Sequence, residues 1–155
     1  MQTFLPYPDF DASARTLDDR RLGKQRVEAL QVLRALTRPA YGWKHHPAVR
    51  MWRGHEEALG AYGVAVCREW RHRGHADTCE AKILDELREA GFAAPPRSQA
   101  RLARAGALPR WLGEDEVHRS HRAALLRKDP ERYGDRFGDE DPDLPYAWPA
   151  GPGPA

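Results

Sequence analysis

Residues 17–36 read LDDRRLGKQRVEALQVLRAL, and this segment carries the clearest structural signal in the chain. Its apolar side chains recur every three or four positions and form one stripe along a helix: Leu22, Val27, Leu30, Leu33 and Leu36. Thr16 directly precedes the segment and is a residue type that commonly caps a helix N-terminus. The segment is therefore predicted to be an amphipathic helix capped by Thr16.

Helical spacing also marks four later segments, and no segment alternates apolar and polar residues as a half-buried strand does. The predicted helices lie at residues 47–73, 77–90, 97–105 and 114–126. Gly74 and Gly91 are suitable C-terminal stops for the first two of them. The sequence therefore predicts an all-α fold, with a single compact helical domain at residues 1–148.

Both ends of the chain are predicted to be irregular. Pro6 and Pro8 oppose a regular helix near the N-terminus, so we expect an extended N-terminal arm at residues 1–15. Large apolar side chains should pack this arm on the core: Phe4, Leu5, Tyr7 and Phe10. After Asp129 the chain is rich in Gly, Pro and Asp, which predicts an irregular C-terminal tail that is disordered at residues 149–155.

Positive charge is concentrated in the first half of the chain. The net charge is only +2, but residues 1–75 contain 13 Lys and Arg against 8 Asp and Glu. Four cations crowd the first two turns of the first predicted helix: Arg20, Arg21, Lys24 and Arg26. They oppose the positive end of the helix dipole, which a bound external anion would explain. The alternative is a solvated face whose Arg side chains pair with carboxylates. The first explanation makes nucleic acid the first partner to consider.

Composition argues against several classes of protein. No apolar run is long enough to span a membrane and no signal-peptide pattern is present, so we expect a cytoplasmic protein. Cys67 and Cys79 are then expected to be reduced thiols. Their spacing from His72 and His75 fits no standard zinc motif. We expect neither a metal ion nor a cofactor.

A second candidate region follows the loop that contains His45 and His46. Trp52 and Glu56 are four residues apart in the next predicted helix and share a face, with Arg50 on a neighbouring turn. An acid beside cations on a buried face can act as a general acid or base. It can equally form an intrahelical ion pair. The residues alone leave both readings open.

Three stretches together resemble the pyrimidine-dimer DNA glycosylase family, of the endonuclease V type of T-even phages, and most closely its bacterial and phage branch. RLGKQRV at residues 21–27 is similar to the basic first helix of the family, where a catalytic Glu lies between Arg residues. Residues 46–74, ending CREWRHRG, resemble the long middle helix. SHRAALLRKDPERYG at residues 120–134 resembles the C-terminal helix and the aromatic turn after it.

This resemblance implies a compact helical enzyme that flips a nucleotide and attacks the sugar C1′ with its N-terminal α-amine. The resulting Schiff base permits strand cleavage by β-elimination. The family exposes a Thr by removing Met, whereas Gln2 follows Met1 here. A bulky second residue normally leaves Met in place, so the amine would belong to Met1.

The first helix also departs from the family pattern, because Gly23 or Gln25 falls at the place of the catalytic Glu. Gln25 can position a water or a sugar oxygen but cannot exchange protons. Another acid would have to substitute, the options being Asp18, Asp19, Glu28 and Glu56. We choose Glu56, because Trp52 on the same face can exclude water and raise the pKa of a carboxyl group.

Two hypotheses of function follow. The first is a DNA-repair glycosylase, with or without AP-lyase activity, that acts on a damaged or modified base through Met1, Gln25 and Glu56. The second is a non-catalytic binder of distorted or single-stranded DNA that stacks bases on aromatic side chains. A metal hydrolase using His45, His46 and Glu56 is a third and weaker hypothesis.

Both leading hypotheses make DNA the partner, bound by a monomer that is cytoplasmic and associated with the nucleoid. Cations are expected to contact phosphates and aromatic side chains to stack on bases. The predicted DNA-binding residues are Arg20, Arg21, Lys24, Arg26, Trp43, His46, Arg50, Trp52, His121, Arg122, Lys128 and Tyr133.

Overall fold

The computed structural model describes residues 1–149, which contain eight α-helices and no strand. The helices are α1 (Phe10–Thr16), α2 (Asp19–Thr37), α3 (Pro47–Trp52), α4 (Glu56–His72), α5 (Cys79–Glu89), α6 (Gln99–Arg104), α7 (Asp115–Lys128) and α8 (Pro130–Phe137). The all-α prediction is therefore confirmed. Apart from Pro149, the predicted disordered tail lies outside the described residues. No helix in the described part of the chain is long and apolar enough to cross a membrane.

The centre of the domain is the packing of α2 against α4, with α5 covering both. Two glycines of α4 allow α5 to approach closely. A Cβ atom on Gly60 would lie 2.6 Å from the Leu87 side chain, and one on Gly63 would lie 2.8 Å from Ile83. Helix α1 also packs against α4, and the N-terminal arm contributes side chains to the same hydrophobic core.

The start of α2 differs from the prediction. Thr16 is the last residue of α1 rather than the cap of α2, and its hydroxyl donates to the Ala12 carbonyl at 2.9 Å. Asp18 caps α2 instead, because its carboxylate accepts from Arg21 N at 3.4 Å. The predicted extended arm was therefore too long: Asp9 caps α1, which begins after both prolines.

The predicted helix at residues 47–73 was also wrong, because it is divided into α3 and α4. Gly54 lies between them with a φ of 84°, a left-handed conformation that glycine adopts without steric cost.

Helix α8 was not predicted from the sequence. Asp129 caps it and Pro130 occupies its first turn, where a proline is tolerated because that position needs no helical N–H bond.

The N-terminal arm, residues 1–6, is buried although it belongs to no helix or sheet. Side chains from three helices, α2, α4 and α7, satisfy its backbone. Phe4 N donates to Gln25 Oε1 at 2.8 Å, and Leu5 N donates to His121 Nδ1 at 2.9 Å. His118 Nδ1 lies 2.8 Å from the Leu5 carbonyl oxygen. The expected docking of the arm on the core is confirmed.

An aromatic cluster packs beneath the arm. Trp52 is fully buried, and its Nε1 donates to Thr3 Oγ1 at 2.9 Å. Its ring lies 4.9 Å from that of Trp111 and 6.1 Å from that of Tyr62, measured between centroids. Trp52 is thus a structural side chain that joins the arm to α3 and α4.

We expect Trp52→Phe to lower the free energy of unfolding by about 2 kcal/mol, because it removes buried atoms and leaves the Thr3 hydroxyl without its donor. Urea denaturation followed by circular dichroism measures this change. Trp43→Phe is the matched control, since Trp43 is 61% exposed and its replacement should leave stability within about 0.5 kcal/mol. Equal stability of the two variants would contradict the packing described here.

Candidate active site at the amino terminus

A cavity of about 520 Å³ opens beside the amino terminus. The arm contributes Met1, Gln2 and Phe4 to its wall. Helix α2 contributes one face: Arg20, Arg21, Lys24, Gln25 and Glu28. These residues line up because positions three and four apart in a helix share a face. Lys128 at the end of α7 and Tyr146 in the C-terminal segment complete the wall.

Gln25 is the polar centre of this wall and is 1% exposed. Its Oε1 accepts from Phe4 N, and the Tyr62 hydroxyl lies 2.7 Å away. Its Nε2 donates to the Gln2 carbonyl at 2.9 Å and to Glu28 Oε2 at 2.8 Å. All hydrogen-bonding positions of the amide are therefore occupied by the protein. Gln25 fixes the arm and the Glu28 carboxylate relative to each other.

Glu28 is an acid at the cavity that is only 7% exposed. Besides the bond from Gln25, its Oε1 lies 3.7 Å from Lys24 Nζ. Burial lowers the pKa of nearby His46, the positive charge of the amino terminus lowers it further, and the negative charge of Glu28 acts in the opposite direction.

The rim of the cavity is cationic. Lys24 has a side chain that is 74% exposed, and Arg20 and Lys128 are exposed as well. Among the described residues, Arg20 and Lys128 form no ion pair. Arg21 lies 3.1 Å from Asp18 and is only 17% exposed, so its charge is already compensated. The free cations make the opening suitable for a polyanion.

Arg26 belongs to another part of the molecule. Its guanidinium lies 2.6 Å from Asp77 and 4.5 Å from the centre of the Trp70 ring. Burial raises the pKa of Asp77, but hydrogen bonds from Glu80 N, Arg26 and Cys79 N outweigh that effect and keep it below the ordinary value. The alternative reading of the basic cluster, pairing with carboxylates, thus holds for Arg26.

Four other predicted DNA-binding residues hold the protein together. Trp52 and His121 are fully buried, and burial lowers the pKa of His121 to about 3, so that it serves the arm as a neutral acceptor. Arg122 donates to the Pro6 carbonyl at 2.9 Å and pairs with Glu140. The Tyr133 hydroxyl donates to the Asp18 carboxylate and is 1% exposed. The three buried rings cannot stack on bases, and the Arg122 charge is already paired within the protein, so none of the four is available to DNA.

Glu56, chosen from the sequence as the catalytic carboxylate, is not part of the cavity wall. Its Oε1 accepts from Gly54 N at 3.2 Å, at the start of α4. Trp43, His46 and Arg50 lie in the loop before α3 and in α3 itself, outside the cavity lining. His46 caps α3 by accepting from Ala48 N at 3.0 Å.

Four residues of the wall were not chosen from the sequence as site residues: Gln2, Phe4, Glu28 and Tyr146. A signal for Glu28 was present, because it lies three residues after Gln25 and four after Lys24 on one helix face.

Burial raises the pKa of the Cys67 thiol. No three His, Cys, Asp or Glu residues between positions 1 and 149 are grouped in a way that would hold a metal ion.

A family model described as pyrimidine dimer DNA glycosylase matches residues 1–83, more than half of the chain. The chain belongs to the pyrimidine dimer DNA glycosylase family. The match includes Met1, Gln25 and Glu28, whereas Lys128 and Tyr146 lie beyond it. Searches of curated proteins and of solved structures gave no match. Family membership supports a DNA-repair glycosylase in general, with DNA as its substrate.

Replacing Arg20 or Lys24 by Ala should weaken DNA binding and make the slope of log K against log salt concentration about one unit less negative, because one phosphate contact is lost. Fluorescence anisotropy at several salt concentrations measures the slope. Arg26→Ala is the control: it should keep the slope and instead destabilise the fold by about 1–3 kcal/mol, since the buried Asp77 carboxylate loses the nearer of its two Arg partners. If the slope changed in Arg26→Ala but not in Arg20→Ala or Lys24→Ala, the cavity rim would not be part of the DNA interface.

Proposed function

We propose that this protein is a DNA glycosylase with AP-lyase activity, in which the Met1 α-amine is the nucleophile and Glu28 transfers protons. The observation that carries the proposal is that Met1 and Glu28 line one cavity with a cationic rim. The substrate is a damaged or modified nucleotide in DNA. We further propose that the nucleotide enters this cavity after it has left the base stack.

The amine chemistry proceeds in two stages. An α-amine keeps a neutral, nucleophilic fraction near pH 7. Its nitrogen attacks C1′, the glycosidic bond breaks, and the base departs with the bonding electrons and takes up a proton. Loss of a proton from the nitrogen, with cleavage of the C1′–O4′ bond and protonation of O4′, then opens the sugar ring and gives a Schiff base with C1′. Removal of a proton from C2′ expels the 3′ phosphate and cleaves the strand.

Glu28 replaces Glu56 in this proposal. The steps above need a group that gives and accepts protons beside C1′ and C2′, and a carboxylate can do so when it lies within reach of the reacting atoms. Glu28 shares the cavity with Met1, and Gln25 holds one of its oxygens. Glu56 instead meets a backbone amide at the start of α4.

Gln25 becomes a positioning residue in this proposal, because the protein already uses its whole amide. Gln2 has the opposite property. Its Nε2 is buried at the cavity and has no hydrogen-bond partner among the described residues. An unpaired buried donor is costly, so an acceptor oxygen or nitrogen of the bound nucleotide would stabilise it.

Blocking the amino terminus should abolish base release and Schiff-base trapping while DNA affinity stays nearly intact, because the rim cations are untouched. The measurement is borohydride trapping on oligonucleotides that carry pyrimidine dimers, other modified bases or abasic sites, using acetylated protein and an uncleaved N-terminal tag. Mass spectrometry of the free protein tests the expected retention of Met1. Full base release by the blocked protein would refute the amine mechanism.

Glu28→Gln should reduce kcat at least about 100-fold, the effect expected when a general acid–base group is lost. Glu56→Gln, at the start of α4, is the matched control, and its kcat should stay within a few-fold of the wild-type value. Single-turnover base release and anisotropy separate chemistry from binding. An active Glu28→Gln variant together with an inactive Glu56→Gln variant would restore the choice made from the sequence.

The second hypothesis, a non-catalytic DNA binder, is favoured by the absence of a Glu at the family's catalytic position in the first helix. Glu28 offers another carboxylate at the cavity, so this absence no longer favours the binder. The binder hypothesis predicts that neither free nor blocked protein releases a base or forms a trapped adduct on any oligonucleotide of the panel, while both bind DNA.

A further inference from the structure

An arginine-rich segment lies outside the candidate active site. Residues 90–113 contain four Arg and no other charged side chain, although residues 76–155 as a whole carry 12 Lys and Arg against 15 Asp and Glu. The segment includes α6 and lies beyond the family match. It contributes no residue to the wall of the cavity. The positive charge of this segment therefore needs an explanation of its own.

Three of the four arginines have charges that the protein leaves unpaired. Arg97 is the exception, because its Nε and Nη2 donate to the two oxygens of the Glu57 carboxylate at 3.0 and 2.8 Å. The other three are exposed and form no ion pair among the described residues. They are Arg101, Arg104 and Arg110, here called the arginine surface. The acidic start of α7, at residues 114–116, limits this surface on one side.

The backbone that carries the arginine surface is held at both ends. Gln99 Oε1 accepts from Phe10 N at 2.8 Å, and Gln99 Nε2 donates to the Pro8 carbonyl at 2.8 Å. At the other end, Trp111 Nε1 donates to the Met51 carbonyl at 2.8 Å. Arg101 and Arg104 lie between these anchors, three residues apart in α6, and therefore share one helix face.

The anchors also place the segment beside the N-terminal arm, which lines the cavity. Pro8 follows the arm closely in the chain, and Trp111 packs on Trp52 with 4.9 Å between the ring centroids. Trp52 in turn binds Thr3 of the arm, so that a single ring separates the segment from the arm. One turn of duplex spans about 34 Å, and a domain of this size has a radius of gyration of about 15 Å. DNA that extends one to two turns from the cavity is therefore long enough to reach the arginine surface.

The exposed side chains around the arginine surface favour a phosphate backbone over a protein partner. Between positions 97 and 110 only Arg, Ser, Ala and Gly are exposed: Ser98, Ala100, Arg101, Ala103, Arg104, Ala105, Gly106 and Arg110. Protein interfaces are built around aromatic or aliphatic anchors, and this stretch exposes none. Small side chains let a DNA backbone approach, and a guanidinium can bind one phosphate with two parallel N–H donors.

We propose that the arginine surface binds backbone phosphates that flank the damaged nucleotide, on the same duplex that occupies the cavity. This inference rests on the proposed function for the presence of DNA at the cavity and adds a second contact to it. A duplex already held at the cavity presents its flanking phosphates at a high effective concentration, whereas a second duplex would have to come from solution. Because phosphates carry no sequence information, the contact strengthens binding to any sequence and any lesion.

The test compares duplexes of about one and about three helical turns, or about 10 and about 30 base pairs. Each carries one central tetrahydrofuran abasic analogue, which cannot form a Schiff base. On the long duplex, Arg104→Ala should make the slope of log K against log salt concentration about one unit less negative, and the double variant with Arg101→Ala about two units. On the short duplex both variants should bind like wild type. Fluorescence anisotropy measures the slopes, and circular dichroism melting curves establish that the variants are folded.

Arg88→Ala is the matched control. Arg88 is exposed on α5 and pairs with Asp85 at 2.8 Å, so its removal changes the net charge of the protein by the same amount as Arg104→Ala. Arg88→Ala should keep the wild-type slope on both duplexes. Arg104→Lys retains the charge and should keep the wild-type slope on the long duplex.

Equal slopes for Arg104→Ala and Arg88→Ala on the long duplex would overturn the proposal. An equal change on the long and short duplexes would overturn it too, and two duplexes bound per protein in that case would assign the surface to a second DNA molecule. Unchanged DNA binding by the double variant, together with lost binding of poly-glutamate, would assign the surface to an acidic protein instead. Borohydride trapping by wild-type protein tests the amine chemistry separately, so either proposal can fail without the other.

Discussion

A buried, extended segment of backbone without a neighbouring strand is the constraint on which this structure depends. The N-terminal arm runs through the core, and each unpaired buried amide or carbonyl in it would cost about 1–3 kcal/mol. Gln25, Tyr62, His118 and His121 provide the missing partners. Several polar side chains of types common in catalytic sites therefore form hydrogen bonds to the backbone of the six-residue arm instead.

The same constraint links the fold to the candidate site through Gln25. Its amide binds the arm with both ends and reaches Glu28 with one of them. One side chain therefore links the position of the amino terminus to that of the acid. A shift of the arm would disturb the carboxylate as well, so the two proposed chemical groups have a common support that contacts neither C1′ nor the base.

The sequence predicts the parts of the structure that depend on local spacing. Period and composition located the cores of five helices and the cationic face of α2, and the apolar residues of the arm predicted its burial. The break at Gly54 was missed because glycine occurs both inside helices and at their ends. Helix α8 was missed because a proline can either end a helix or occupy its first turn, as Pro130 does here. Glu28 was passed over because its proposed role depends on where residues 1–4 dock, and spacing within α2 shows only that Glu28 shares a helix face with Lys24 and Gln25.

The arm is joined to both halves of the chain, and this has a consequence for how the protein is made. Residues 1–6 leave the ribosome long before α7, whose His118 and His121 bind Leu5. Until α7 is synthesised the amino terminus lacks part of its support. The arm therefore reaches its final position only after most of the chain has been made, and the proposed site is assembled late in synthesis.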